Sequence, residues 1–171
     1  AHEKAETKLP LVCYYSAQRL SANRRNKDFD PALGRWNGYY NALFDESNQD
    51  YITNWFWTSA VDAASRKDVG IDKPNWPLIN VRHYLKELAI YFGIIKEGES
   101  FDVYYNVQEK SLMVKTDPPN PFFAESPLDE VSDGTKNLFW FVIDLVWRAS
   151  ELNPHLKDYA VVFAEGIVMI D

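Results

Sequence analysis

The sequence predicts an α+β domain, with a helical N-terminal half, a β-hairpin, a buried C-terminal helix and a final strand around one core. Apolar residues recur at helical spacing through the first half of the chain. At Phe101 the period changes to two, the signature of strands. From Leu138 to Trp147 the chain is apolar on nearly every side, as a helix at the centre of a core requires. With 171 residues there is room for one well-buried domain, residues 9–171, behind a loose polar arm at residues 1–8.

Taken in order, Val12, Tyr15, Leu20 and Ala22 predict a first helix from Leu11 to Arg25. Asp30 reads as an N-cap with Pro31 at the first helical position, and Leu33, Trp36, Tyr40, Leu43 and Phe44 form the core face of a second helix. Gly34 and Gly38, four apart on it, point to close backbone packing. Ser47 to Asp50 start a third helix running to about Lys67, with Ile52, Trp55, Phe56, Ser59, Ala60 and Ala63 inward. The Gly- and Pro-containing stretch Gly70–Pro77 is a loop. Asn80 then caps a helix whose face is Val81, Tyr84, Leu85, Leu88 and Phe92, and Gly93 supplies its left-handed end.

Phe101, Val103, Tyr105 and Val107 alternate with polar residues and return through Leu112–Val114, a hairpin. Four of the nine prolines fall between Asp117 and Pro127, so a long loop is expected there. Ser132 or Asp133 caps a buried helix from about Thr135 to Glu151, which Asn153-Pro154 ends. Tyr159–Ile170 reads as a strand apolar on both faces, which places it in mid-sheet or under a helical layer.

Charge and composition exclude several functions. A net charge of −7 and a pI near 5.0 repel the phosphates of nucleic acids and anionic membranes. The longest apolar run contains Asp144 and is far shorter than the roughly 20 residues that cross a bilayer, so no membrane insertion is expected. Cys13 is the only cysteine, which excludes an intramolecular disulfide, and its neighbours Val12, Tyr14 and Tyr15 suit a buried, inert thiol. His2, His83 and His155 lack metal-motif spacing, and no G-x-S-x-G elbow, phosphate-binding Gly loop or dinucleotide fingerprint occurs, so no metal or cofactor is expected. His83 and Glu87, at i and i+4, read as an exposed helix pair. A start at Ala1 rather than Met tilts the expected location toward export, periplasmic or secreted.

Two carboxylates have apolar surroundings. Glu165 shares a strand face with Val161, Phe163, Ile167 and Met169, and burial there raises its pKa into the range of a general acid. Asp144 is followed at i+4 by Arg148, an intrahelical ion pair. Glu125, Asp129, Glu130 and Asp133 form an acidic stretch that would steer a basic partner, and Tyr39 and Trp57 fall off the core faces as surface anchors. The basic residues Arg19, Arg24, Arg25 and Lys27 gather near the other end. The leading expectation is a protein-binding module, of the inhibitor or immunity type, that takes a basic partner on this acidic segment. Two others stand beside it: a small hydrolase of carbohydrate or another neutral substrate with Glu165 as acid or base, and a subunit of a larger assembly.

Overall fold

A computed structural model describes residues 7–16, 29–43, 48–71, 73–119 and 125–171. Its elements are strand β1 (Leu11–Tyr15), helices α1 (Gln49–Asp68) and α2 (Trp76–Tyr91), strands β2 (Ser100–Asn106), β3 (Ser111–Asp117) and β4 (Glu125–Pro127), helix α3 (Asp133–Leu152) and strand β5 (Gly166–Ile170). Short 3-10 helices span Pro31–Tyr39, Leu128–Glu130 and Pro154–Tyr159. The architecture is α+β, with two separate sheets: β1 and β5 pair in parallel, and β2, β3 and β4 form an antiparallel sheet in that order.

The main core lies where α1, α2 and α3 meet the antiparallel sheet. Ile52, Trp55 and Phe56 from α1, Val81 and Leu85 from α2, and Phe139, Ile143 and Trp147 from α3 are buried with Phe101, Val103 and Val114 of the hairpin. A second cluster packs Leu11, Cys13 and Tyr15 of β1 against Ala149 and Leu152 of α3. Helix α3 therefore touches both clusters, which is why its sequence is apolar almost all round.

The hairpin, α1 and α3 form where the sequence predicts them; α2 forms too but starts at Trp76, taking in the end of the expected Gly70–Pro77 loop, and Gly93 adopts a left-handed φ of 67° after it. Several other expectations are corrected. Leu11–Tyr15 is a strand rather than a helix, because Leu-Val-Cys-Tyr-Tyr favours the pleated state and its burial alternates with period two; residues 17–25 of the expected helix, and the basic cluster Arg19, Arg24, Arg25 and Lys27, lie outside the described residues. The segment from Pro31 is capped by the Asp30 side chain as expected, but it is a 3-10 helix kinked at Gly34, where φ is 53°. A three-residue turn rotates the expected face, leaving Leu33 and Trp36 exposed, as is Leu43 after it; Phe44 is outside the described residues. Gly38 does mark close packing: a Cβ there would stand 2.5 Å from the Leu152 Cγ.

Ala60 and Ala63 are exposed because α1 runs on past the core. The cap of α2 is Asn75, which accepts from the Leu78 N–H at 3.2 Å with Pro77 in the first turn. Asn80 instead lies buried within α2, donating to Ser150 Oγ and the Lys157 carbonyl, both at 2.9 Å. Phe92 and Val107 are exposed just beyond α2 and β2. The expected loop from Asp117 to Pro127 ends in a third strand, β4, paired with β3; residues 120–124 are outside the described set.

The largest correction concerns the end of the chain. Tyr159 closes a 3-10 helix rather than opening a strand, and only Gly166–Ile170 is extended. Among the described strands β5 lies beside β1 alone, and all five of its residues are exposed. A sequence pattern that calls for cover on both faces thus meets none among the described residues.

Candidate functional site

The β1–β5 pair is built for close approach and firmly anchored. At Gly166 an added Cβ would fall 1.7 Å from the Leu11 carbonyl oxygen, so only glycine allows β5 to lie against β1 here. The Leu11 N–H donates to the Glu165 carbonyl at 2.7 Å, and the Asp171 N–H to the Tyr15 carbonyl at 3.0 Å. Asn153, ending α3, accepts from the Leu9 N–H at 2.8 Å and donates to the Leu9 carbonyl at 3.0 Å, holding the chain just before β1.

A buried polar lock fixes β1 to α3. Asp144 accepts hydrogen bonds from the Tyr15 hydroxyl at 2.6 Å, Arg148 Nε at 2.9 Å and Asn48 Nδ2 at 3.0 Å. Arg148, wholly buried, also gives Nη1 to the carbonyls of Gly38 and Tyr40, each at 2.8 Å. Burial, then the neighbouring Asp144, push the Tyr15 hydroxyl far above its ordinary pKa. Arg148 is raised even though burial lowers it, because Asp144 and Tyr15 outweigh that cost. The predicted Asp144–Arg148 pair is thus present, as the centre of a network joining β1, α3 and the segment before α1.

Beyond this anchored side, β5 is open. The bonds to β1 use the backbone of residues 165, 167, 169 and 171, so the alternation directs the N–H and C=O of Gly166, Val168 and Ile170 away from β1. No described residue hydrogen-bonds to that outer edge. Ile167 is 62% exposed and Ile170 70%, on opposite faces, with Val168 and Met169 partly exposed between them. The carboxyl ends of both strands meet at Asp171, whose Oδ2 lies 3.5 Å from the Tyr14 hydroxyl.

A second feature lies at the start of α1. Asp50, Thr53, Asn54 and Trp57, on one face of that helix, line a cleft of about 320 Å³ with Tyr105 of β2. The rings of Trp57 and Tyr105 stand 5.6 Å apart at 51°. A smaller recess of about 90 Å³ shares Asp50 and Thr53 and reaches Lys110, Asp129 and Trp140. A larger hollow of about 470 Å³ sits between the end of α1 and the loop that follows it, among Asp62, Arg66, Lys67 and Lys73, with Arg66 engaged by Asp62 at 2.8 Å.

The sequence-predicted site residues fall in different places. Glu165 is not buried in an apolar strand but stands in the turn before β5, paired with Lys8 at 2.8 Å. That hydrogen bond and charge hold its carboxyl below the usual range, opposite to the rise a general acid needs. Glu125 lies on β4, bonded to the Tyr104 hydroxyl and 3.2 Å from Lys115, which lower its pKa, while the same bond lifts Tyr104 to about 12. Asp133 pairs with Lys136 at 2.9 Å. Asp129 and Glu130 are exposed on the 3-10 turn before α3. Tyr39 is half-buried and donates its hydroxyl to the Pro10 carbonyl at 2.6 Å. Only Trp57 and Asp129 are brought to the shared cleft. Asp50 and Tyr105 were not singled out as site residues, although the spacing of Asp50, Thr53 and Trp57 on one helix face is the signal that finds the first. Cys13 is buried, and His83 and Glu87 are exposed on α2. No described helix is long and apolar enough to cross a membrane. No protein-family model matches the chain, and no curated protein matches it.

Proposed function

We propose that this chain is a protein-interaction module that contributes β1 and β5 to a larger, mostly parallel sheet. The observation that carries this reading is β5 itself: an apolar strand whose residues are all exposed and whose second edge has no partner among the described residues. Parallel strands are ordinarily covered on both faces by helices, and consecutive ones are joined through a crossover helix. The missing element is therefore an apolar strand backed by an amphipathic helix, adding to Gly166, Val168 and Ile170. A second copy of this chain fits less well. Antiparallel self-pairing centred on Val168 would set Glu165 opposite the second copy's Asp171 at both ends, and like charges directly opposed are destabilising.

The reading also gives the sheet a working end. Open parallel sheets take their ligands at the carboxyl ends of the strands, and here that end carries Asp171 and the Tyr14 hydroxyl. Binding of a basic partner on the acidic segment is the weaker version of the protein-binding reading, since Lys115 and Lys136 already neutralise Glu125 and Asp133.

The test is a photo-reactive phenylalanine at Val168 in the natural polypeptide, irradiated in its source cells, with cross-linked peptides mapped by mass spectrometry. Cross-links to one apolar strand support the reading, and their position tells whether that strand belongs to the same polypeptide or to another protein. Cross-links scattered over unrelated surfaces, or none, overturn it.

A further inference from the structure

Resting on the reading that β5 enters a larger sheet, we infer that the polypeptide supplying the added strand also supplies an amphipathic helix, packed beside α3 against Phe141, Leu145, Val168 and Ile170. Residues paired across parallel strands point to the same face, so Val168 and Ile170 share the α3 side with their partners Cys13 and Tyr15. Cys13 and Tyr15 are buried under α3, the Tyr15 ring standing 4.7 Å from that of Phe141, whereas Val168 and Ile170 are exposed. Helix α3 is bare on the same side. Leu138, Phe141 and Leu145, at i, i+3 and i+7, form an apolar stripe that is only half-buried. The one charged residue between Leu138 and Trp147 is Asp144, which is turned into the buried network. A helix with no polar outer face is ordinarily covered all round. Phe141 and Leu145 pack on the β1 cluster, so the two bare surfaces meet at Tyr15, whose strand neighbour is Ile170.

Spacing selects the occupant. Adjacent strands lie about 4.8 Å apart, and packed helices about 8–10 Å apart. Since α3 packs on β1, a helix touching α3 falls about two strand positions away, over the strand added outside β5. One unit of strand and helix therefore covers the open edge, the α3 side of β5 and the flank of α3 together. A second copy of this chain leaves a gap. Antiparallel pairing through β5 would place its own α3 over its own β1, about 14 Å from the first α3 and beyond helix contact. An acyl chain could cover the apolar side chains, but it offers nothing to the N–H and C=O groups of Gly166, Val168 and Ile170 that point away from β1.

The experiment places a photo-reactive phenylalanine at Leu145 and, in a separate sample, at Val168 of the natural polypeptide, irradiates both in source cells and maps the cross-linked peptides by mass spectrometry. The expected result is capture of two segments of one polypeptide. Val168 reaches an apolar strand, and Leu145 reaches an amphipathic segment whose cross-linked residues recur every three or four positions. Leu145→Lys should lower recovery of that assembly about tenfold or more, with circular dichroism of the isolated variant showing that it folds; if it does not fold, the cross-links decide alone. A strand captured from Val168 with no helical segment captured from Leu145 overturns this inference and leaves the sheet reading standing. Capture of a second copy's α3, or of a non-peptide adduct, at Leu145 overturns it as well, and the absence of a strand at Val168 overturns both.

Discussion

Replacing Asp144 with Asn tests how β1 is held. The substitution keeps the shape of the side chain but removes the charge that faces Arg148, whose side chain is wholly buried. Nε loses its carboxylate partner at 2.9 Å, and the bonds from the Tyr15 hydroxyl and Asn48 lose an ionic acceptor. Breaking one side of a buried ion pair costs about 3–5 kcal/mol, because the remaining charge stays in the interior uncompensated. For a domain of this size each kcal/mol moves the melting temperature by about 2–4 °C, so a fall of about 6–20 °C is expected. Urea unfolding followed by circular dichroism measures the loss directly. The double variant Asp144→Leu with Arg148→Met removes both charges and recovers part of it, but not all, because the carbonyls of Gly38 and Tyr40 lose their donor. A single-variant loss below about 1 kcal/mol, or a double variant less stable than the single, would refute the reasoning.

Three further outcomes follow from packing and charge. Burial lifts the Glu151 carboxyl to about 7 from an ordinary 4.5, with Trp55 and Trp147 partly opposing the rise. The folded state then binds the proton more tightly than the unfolded chain, so this group's contribution is full below pH 4.5 and is lost as pH rises to about 7; Glu151→Gln should flatten that part of a stability–pH curve. Gly38→Ala drives a Cβ into Leu152 and should cost about 1–3 kcal/mol in urea unfolding. Glu165→Gln removes only an exposed pair with Lys8 and should leave the melting temperature unchanged in differential scanning calorimetry.

Much of this fold is legible in the sequence because local chemistry and tertiary packing agree. Helix α2 has an apolar face and a glycine at its end, and α3 announces its central place by its apolar girth. Where the reading fails, tertiary partners decide. Leu11–Tyr15 has strand-favouring residues, but the parallel pairing that fixes it comes from β5, and the Gly166–Leu11 contact is long-range. The kink at Gly34 turns a 3.6-residue pattern into a 3-10 segment and brings Trp36 out to solvent. Glu165 misleads because its apolar neighbours are spread over a turn and a strand rather than along one face. Of the cleft, Trp57 and Asp129 are found from sequence, but their juxtaposition with Tyr105 and Trp140 requires α1, the hairpin and α3 to be packed together.

The pattern of β5 is the instructive case. Its residues read as an interior strand, and among the described residues they have a partner on one edge only. Amide hydrogen exchange resolved to single residues, on the isolated chain and on the assembly recovered from source cells, tests the account most directly. The account predicts that in the isolated chain Val168 and Ile170 exchange quickly while Ile167 and Met169, bonded to β1, are protected, and that all four are protected in the assembly. Val168 and Ile170 open in both states would contradict it.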